Sequence, residues 1–406
     1  MEQNPDTILF PLQKLVHHLL PLFPIRRRFF FLFFSVVVHL PQRAMFFARQ
    51  ERRKVYYWVG TLSCVVGFAV LVALIFGNVL KGDNAPLLIG GYCALFATVL
   101  SLFQILEHLT CFADPDCQTK VVRILFMVPL YALFSWICIV APGSAEYLDV
   151  IREGYESYVI YAFFQLMIAL MGGVDTVDRA LMLEEWPPVP HVFPLCCLEP
   201  MKVTPTFVRN CRLALFQFMV LRPLLSIIGI FFAPGDAASM LNVKSAHLWI
   251  VLIKNLSITI AFTALVHFYV GLKDFMEGTD ALLKFVCIKI VIFLSFWQGL
   301  LIQILHALGK LDKIHIAGAT IDYEQLQHLL ICIEMMFVAF AHRYCFGSES
   351  YVNSVVTLEQ EGEQPEGTQS SQRVIPPVRY SVTANLKYTL RNEDIMNDIK
   401  AIARNR

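Results

Sequence analysis

Long apolar segments recur along the chain, and polar residues collect between them and in the C-terminal part. A helix needs about 20 apolar residues to cross a hydrocarbon core of about 30 Å. These segments are continuous and do not alternate with polar residues, so they predict helices and not the strands of a membrane barrel. The predicted fold class is all-α, a polytopic transmembrane helical bundle. Eight spans are predicted, with seven as the alternative count: 55–80, 87–109, 124–141, 158–174, 213–233, 247–272, 285–308 and 326–346.

The residues before the first span predict the orientation. Residues 1–54 are rich in arginine and lysine, and the positive-inside rule therefore places them in the cytosol. Eight crossings return the chain to the same side, so both termini are predicted to be cytosolic. The connections 142–155 and 310–324 are then short outer loops. The apolar run 29–40 is too short to span, which favours an interfacial helix or, alternatively, a short re-entrant segment.

The composition changes after the last span, and residues 347–406 are predicted to form a cytosolic tail. Residues 348–380 are rich in Ser, Glu, Gln and Pro, a composition typical of disorder. A short helix is predicted after Asn392, which is a suitable helix cap. This helix is either a loosely packed terminus or an element that docks on the cytosolic face or on a partner. Its apolar face would consist of Ile395, Met396, Ile399 and Ile402.

Composition excludes several classes of protein. Hydrophobic residues make up 57% of the 406 positions and charged residues 16%, far from the roughly 25% charged residues of an ordinary soluble domain. The net charge of +1 argues against a nucleic-acid partner, because nucleic-acid-binding domains are usually basic. The sequence contains no metalloprotease, phosphate-loop or serine-hydrolase motif. Neither an enzyme nor a cofactor nor a metal site is therefore predicted, and membrane lipids are the expected surroundings.

Two polar residues lie about halfway along predicted spans, where an ionisable group costs roughly 2.5–3.5 kcal/mol to insert. They are Arg222 and Glu334, and their matching depth suggests either a buried ion pair that fixes packing or a site for a solute or ion. Pro223 follows Arg222 and removes a helical hydrogen bond. Further polar or aromatic residues in the later spans complete the candidate binding set: Ser226, Asn255, Trp297 and Gln298.

The eleven cysteines are scattered and mostly lie in apolar segments, so no disulfide framework is predicted. Cys196 and Cys197 are adjacent in a cytosolic connection close to the membrane, which favours S-palmitoylation. A metal site built from this pair with His191 and Cys211 has poor spacing.

Several motifs occur in the order found in one known family. Residues 118–131 with Ser135-Trp136, and residues 155–161 with Gly172-Gly173, resemble the organic solute transporter alpha/transmembrane protein 184 family. Further matches are Gln217-Phe-Met-Val-Leu-Arg-Pro223, Lys284-Phe-Val-Cys-Ile-Lys-Ile-Val-Ile-Phe-Leu-Ser-Phe-Trp-Gln-Gly299, and Ile331-Cys-Ile-Glu334 with His342. The closer similarity is to the transmembrane protein 184 branch, which has an additional N-terminal span.

This resemblance implies a polytopic helical protein that facilitates movement of amphipathic organic solutes, such as steroid conjugates, bile-acid-like anions or lipids. The plasma membrane or endomembrane vesicles would be its location. The namesake branch works with a small single-span partner, so the expected assembly is either a complex with such a partner or a homo-oligomer. Arg222, Gln298 and Glu334 lie in the shared motifs, and their role in binding is an inference from chemistry. The alternative is a membrane receptor or scaffold in vesicle trafficking or signalling.

Overall fold

The structure of the protein, a computed structural model, describes residues 67, 84–183, 186–190, 199–232, 246–276, 281–307, 313–316, 319–348, 351 and 382–391. From residue 84 onward these belong to one compact unit, Phe68–Arg406, and of the other unit, Met1–Gly67, only Gly67 is described. Several predictions lie outside the described residues: the interfacial helix, the first span apart from Gly67, the lipidation candidates Cys196 and Cys197, and the helix after Asn392.

The described residues are mainly helical. In chain order the elements are α1 (Ala85–Thr110), α2 (Pro115–Leu125), α3 (Met127–Val140), α4 (Ala145–Leu170), α5 (Val174–Leu183), α6 (Pro205–Phe231), α7 (Ala246–Leu272), α8 (Ala281–Ala307), β1 (Lys313–Ile316), β2 (Ala319–Asp322), α9 (Tyr323–Cys345) and α10 (Val382–Leu390).

Helix starts follow from local signals. Asp114 caps α2, because its carboxylate accepts hydrogen bonds from the backbone N–H groups of Asp116 and Cys117, both at 3.1 Å. Thr204 caps α6 by accepting from the N–H of Phe207 at 3.3 Å. Each of these caps is followed by a proline at the start of the helix, where the missing N–H group is not needed.

A glycine pair ends α4. Gly172 and Gly173 have φ of 89° and 95°, in the left-handed region that glycine adopts without a Cβ clash. The N–H of Gly173 donates back to the carbonyl of Ile168 at 2.9 Å, which satisfies one of the last carbonyls of the helix. The chain then turns by 61° into α5, so α4 and α5 form a bent pair.

The predicted all-α, membrane-spanning fold is confirmed. Within the described residues, five helical segments are long and apolar enough to cross a membrane: α1, α2 together with α3, α6, α7 and α9. The bent pair α4–α5 would be a sixth. Helices α1 to α9 cover seven of the eight predicted spans, and the first span lies outside the described residues. The total number of spans stays a prediction.

Helix α4 occupies a central position in the packing. On one side, α9 packs against α1, α3 and α8, and on the other, α6 packs against α7. Helix α4 contacts both α3 and α6, and its Phe164 ring lies 4.7 Å from the ring of Phe268 on α7. This packing places the polar N-terminal half of α4 between neighbouring helices.

Two details of the predicted organisation are corrected, and one element is added to it. The connection 142–155 is not a loop, because α4 already begins at Ala145. The connection 310–324 contains the antiparallel hairpin β1–β2, in which Ile314 pairs with Ile321. In the tail, a helix forms at Val382–Leu390, before the predicted one, and it packs against α1 and α2.

Candidate functional site

Three helices bring one carboxylate and two cations together inside the bundle. Oε2 of Glu153 on α4 lies 3.3 Å from Nε of Arg222 on α6 and 3.1 Å from Nζ of Lys254 on α7. The hydroxyl of Ser226, one helical turn after Arg222, lies 2.5 Å from the same oxygen. We call these four residues the charged centre.

The members of the charged centre lie at one level of the bundle. Glu153 and Lys254 each lie eight residues after the first residue of their helix, and Arg222 lies nine residues before the last residue of α6. At about 1.5 Å per residue, all three lie about 12–14 Å from those helix ends. The helices run in alternating directions, so these ends are on the same side of the bundle.

The charged centre holds two cations and one carboxylate, and Glu156, one turn further along α4, is a second carboxylate that attracts Arg222. Arg222 and Lys254 share the single carboxylate of Glu153, and the three side chains are 17%, 20% and 30% exposed. Burial reduces the screening of these charges by water, so each of them acts strongly on its neighbours. An acidic ligand at these cations would therefore compete with Glu153 and, at Arg222, also with Glu156.

The polar face of α4 continues towards α3. One turn beyond Glu153, the carboxylate of Glu156 accepts a hydrogen bond from the Tyr131 hydroxyl at 3.2 Å. The guanidinium of Arg152 lies over the Tyr131 ring, 5.6 Å from its centroid, and donates to the Ser135 hydroxyl at 3.2 Å. A continuous row of polar contacts thus crosses from α3 through α4 to α6 and α7.

Two of the six predicted binding residues lie in the charged centre. Arg222 and Ser226 are adjacent on one face of α6, as their spacing of four residues requires, and both contact Glu153. The partner of Arg222 in the structure is thus on α4, and not Glu334, the partner that the sequence suggested. Helix α6 continues past Pro223 to Phe231.

The other four predicted residues lie elsewhere. Asn255 follows Lys254 directly, but its side chain is exposed and donates to the carbonyl of Val251 in its own helix at 2.9 Å. Trp297 is 50% exposed on α8, and Gln298 beside it is half-buried. Glu334 is half-buried on α9, which packs against α8. Their role in binding stays a prediction.

Sequence reasoning missed Glu153 and gave Lys254 no role in binding. The sequence predicts an outer loop at Glu153 because four further charged residues lie within 145–156 and interrupt the apolar pattern. The spacing of those charged residues nevertheless indicates a helix. Asp149, Arg152, Glu153 and Glu156 occupy positions i, i+3, i+4 and i+7, which is the pattern of one helix face.

A separate polar cluster joins α1 to the end of α9. The amide of Gln104 donates to the carbonyls of His342 and Phe346, at 2.9 Å and 2.8 Å. Glu107, one turn further along α1, pairs with Arg343 and accepts from Ser348 at 2.8 Å. The cluster satisfies carbonyls that the C-terminal turn of a helix leaves without partners.

The tail helix α10 docks beside this cluster. The guanidinium of Arg123 on α2 donates to the carbonyls of Thr389 and Arg391, both at 3.1 Å. The amide of Asn385 donates to the carbonyl of Leu109 at 2.9 Å. A cation at the C-terminus of a helix also interacts favourably with the helix dipole, so α10 is held at its end as well as along its side.

Comparison with known protein families identifies a family that this chain matches. The model of the family described as Solute_trans_a, organic solute transporter Ostalpha, matches residues 86–351, which is more than half of the 406 residues. The matched part begins in α1, contains the whole charged centre and ends after α9. No solved structure matches the chain.

Proposed function

Because this chain belongs to the organic solute transporter Ostalpha family, we propose that it is a facilitative transporter of amphipathic organic anions. Steroid conjugates and bile-acid-like anions are the proposed substrates, with anionic lipids as a related class. In this proposal Arg222 and Lys254 bind the acidic group of the solute. The observation that carries the proposal is the sharing of one carboxylate, Glu153, by these two cations.

The surroundings of the two cations support an amphipathic solute. In the most apolar 18-residue windows of α6 and α7 only 22% of residues are buried, against 50–61% for the α1, α2–α3 and α9 spans. These two helices therefore present broad apolar surfaces, and in a membrane such surfaces face lipid. A stripe at helical spacing on α6 is an example: Val220, Leu224 and Ile227.

This arrangement gives each part of the solute a matching environment. The acidic group would bind Arg222 and Lys254, while the apolar body would stay against lipid-facing side chains of α6 and α7. When no solute is bound, Glu153 forms ion pairs with both cations, which reduces the free-energy cost of burying their charges in the bundle. Exchange between Glu153 and the solute anion would permit release as well as binding, as facilitated movement in both directions requires.

Uptake by vesicles that contain the purified protein tests the proposal. We expect flux of a sulfated or carboxylated steroid above that of empty vesicles, and flux down its gradient without added ATP. Arg222→Gln should reduce uptake at least tenfold, because a charge-assisted contact contributes about 1.5–3 kcal/mol.

Arg209→Gln is a matched control, because Arg209 is exposed on the same helix and outside the charged centre. Its uptake should equal that of the unmodified protein. Uptake equal to that of empty vesicles for every steroid anion, or equal loss in the two variants, would reject an anion-binding role for Arg222.

Further details are proposed on the same basis. The protein would lie in the plasma membrane or in endomembrane vesicles with both termini in the cytosol, and it would belong to the transmembrane protein 184 branch. Either a second copy or a small single-span subunit would accompany it. Cysteine accessibility at the two ends of the chain, measured on intact and permeabilised cells, tests the orientation.

A second candidate function is a trafficking or signalling scaffold that binds partners through the tail. The observation that favours it is the outer face of α10, where Leu386 and Leu390 are 40% and 69% exposed. Deleting residues 348–406 separates the two functions. Retained solute flux with loss of bound proteins would make transport the activity of the membrane domain and binding that of the tail.

A further inference from the structure

Three side chains of different chemistry converge where α3 ends and where α4 and α9 begin. Cys138 is in the last turn of α3, Asp149 is in the second turn of α4, and His328 is in the second turn of α9. The thiol, one carboxylate oxygen and one imidazole nitrogen all lie within 4.8 Å of one another. We propose that these three residues form a zinc-binding site that ties the three helices together.

Burial distinguishes this cluster from an ordinary surface group of polar residues. Cys138 is 1% exposed and His328 is 5% exposed. Among the described residues, Nδ1 of His328 is buried and has no hydrogen-bond partner. A buried polar atom without a partner costs about 1–3 kcal/mol, and coordination of a metal would remove that cost.

The donor set selects the class of metal. A sulfur, a nitrogen and an oxygen ligand together suit Zn²⁺, whereas Mg²⁺ and Ca²⁺ prefer oxygen ligands alone. With metal–ligand distances of about 2.0–2.3 Å, ligand atoms in a tetrahedral site lie about 3.3–3.8 Å apart. The three atoms would therefore move together by about 1 Å, a change that side-chain rotations supply.

A residue outside the three ligands orients the Asp149 carboxylate, and the exposed side of Asp149 leaves a path for an ion from solvent. Arg152 holds Oδ1 of Asp149 at 3.0 Å, and such a contact orients a carboxylate that binds a metal through its other oxygen. The Asp149 side chain is 38% exposed, so an ion can reach the site from that side. Three protein ligands leave a fourth position for water.

Binding would exchange a proton for the metal. Zn²⁺ binds the thiolate, so the proton of the Cys138 thiol leaves to solvent as the Zn–S bond forms. The site is independent of solute binding, since none of its ligands belongs to the charged centre. Arg152 lies between the two, because it contacts Asp149 on one side and Tyr131 and Ser135 on the other.

Cobalt substitution of the full-length, untagged protein tests the site. After removal of metal by a chelator, Co²⁺ should bind at one ion per chain and produce the near-ultraviolet absorption of a cobalt–thiolate bond. Cys138→Ser should lose this absorption. Cys117→Ser, which changes a buried cysteine of α2, should keep it.

A second variant covers the case in which Cys138→Ser does not fold. His328→Gln keeps the thiol and should weaken Co²⁺ binding at least tenfold, since it removes one of three ligands. The site is refuted if the unmodified protein shows no cobalt–thiolate absorption. Undiminished absorption in Cys138→Ser, or equal loss in Cys117→Ser, also overturns it.

Discussion

The substitution Glu153→Gln tests the charged centre most directly. It keeps the size of the side chain and removes the one negative charge that Arg222 and Lys254 share. Lys254 then loses the carboxylate that it contacts, Arg222 keeps only Glu156 as an acidic neighbour, and Ser226 loses a charged acceptor. We expect a less stable protein, and also one that binds anionic solutes more tightly, because the competing carboxylate is gone.

The magnitude follows from the exposure of the three side chains. Removing one partner of a fully buried ion pair costs about 3–5 kcal/mol, and exposed pairs contribute about 0.2–1 kcal/mol. The side chains here are 17–30% exposed, so an intermediate cost of about 2 kcal/mol is expected. On the scale of domains of about 150–250 residues, this lowers the melting temperature by about 4–8 °C.

Thermal unfolding in detergent, followed by the loss of the monodisperse peak in size-exclusion chromatography, measures the effect. Glu146→Gln is the control, because Glu146 is exposed in the first turn of the same helix. The double variant Glu153→Gln, Arg222→Gln should recover part of the loss, whereas Arg222→Gln and Glu334→Gln should be additive. Equal melting temperatures for Glu153→Gln and Glu146→Gln would refute the reasoning.

Three further substitutions test other contacts. Tyr131→Phe removes a hydrogen bond to a carboxylate and should cost about 1.5–3 kcal/mol in the same unfolding assay; an unchanged melting temperature would contradict the contact. Arg123→Met removes the donor to two carbonyls at the end of α10, so limited trypsin digestion should cleave the tail several-fold faster, and an unaltered cleavage rate would argue against docking. Gly91→Ala places a Cβ 2.8 Å from Nε1 of Trp136 and should destabilise by about 1–3 kcal/mol, whereas Gly229→Ala, with open space around it, should not.

The positions of most helices could be predicted from the sequence. Helices α1, α6, α7 and α9 begin and end within eight residues of the predicted spans, because continuous apolar segments are a strong signal. Proline and cap residues explain the largest difference. Helix α6 begins at Pro205, eight residues before the predicted span, because Thr204 caps the helix there, whereas Arg209 and Arg212 lower the hydropathy of its first turns.

The charged centre could be predicted only in part. Arg222 and Ser226 stand out in an apolar segment, but Glu153 lies among other charged residues and resembles part of a loop. Its helix is stabilised by neighbours that cover its polar face, and such tertiary contacts are not visible in hydropathy. The hairpin had a detectable signal, because residues 313–316 and 319–322 alternate in type around a short turn.

The contact between Gln104 and the end of α9 has a consequence for biogenesis. The amide of Gln104 and its acceptor, the carbonyl of Phe346, are separated by 242 positions in sequence. At about 5–20 residues per second, ribosomes need about 12–50 s to synthesise that interval. During this time α1 is in the membrane with a side-chain amide whose partner has not yet been made. Insertion of α1 therefore precedes completion of this contact, and the packing of α1 against the end of α9 is a late step of folding.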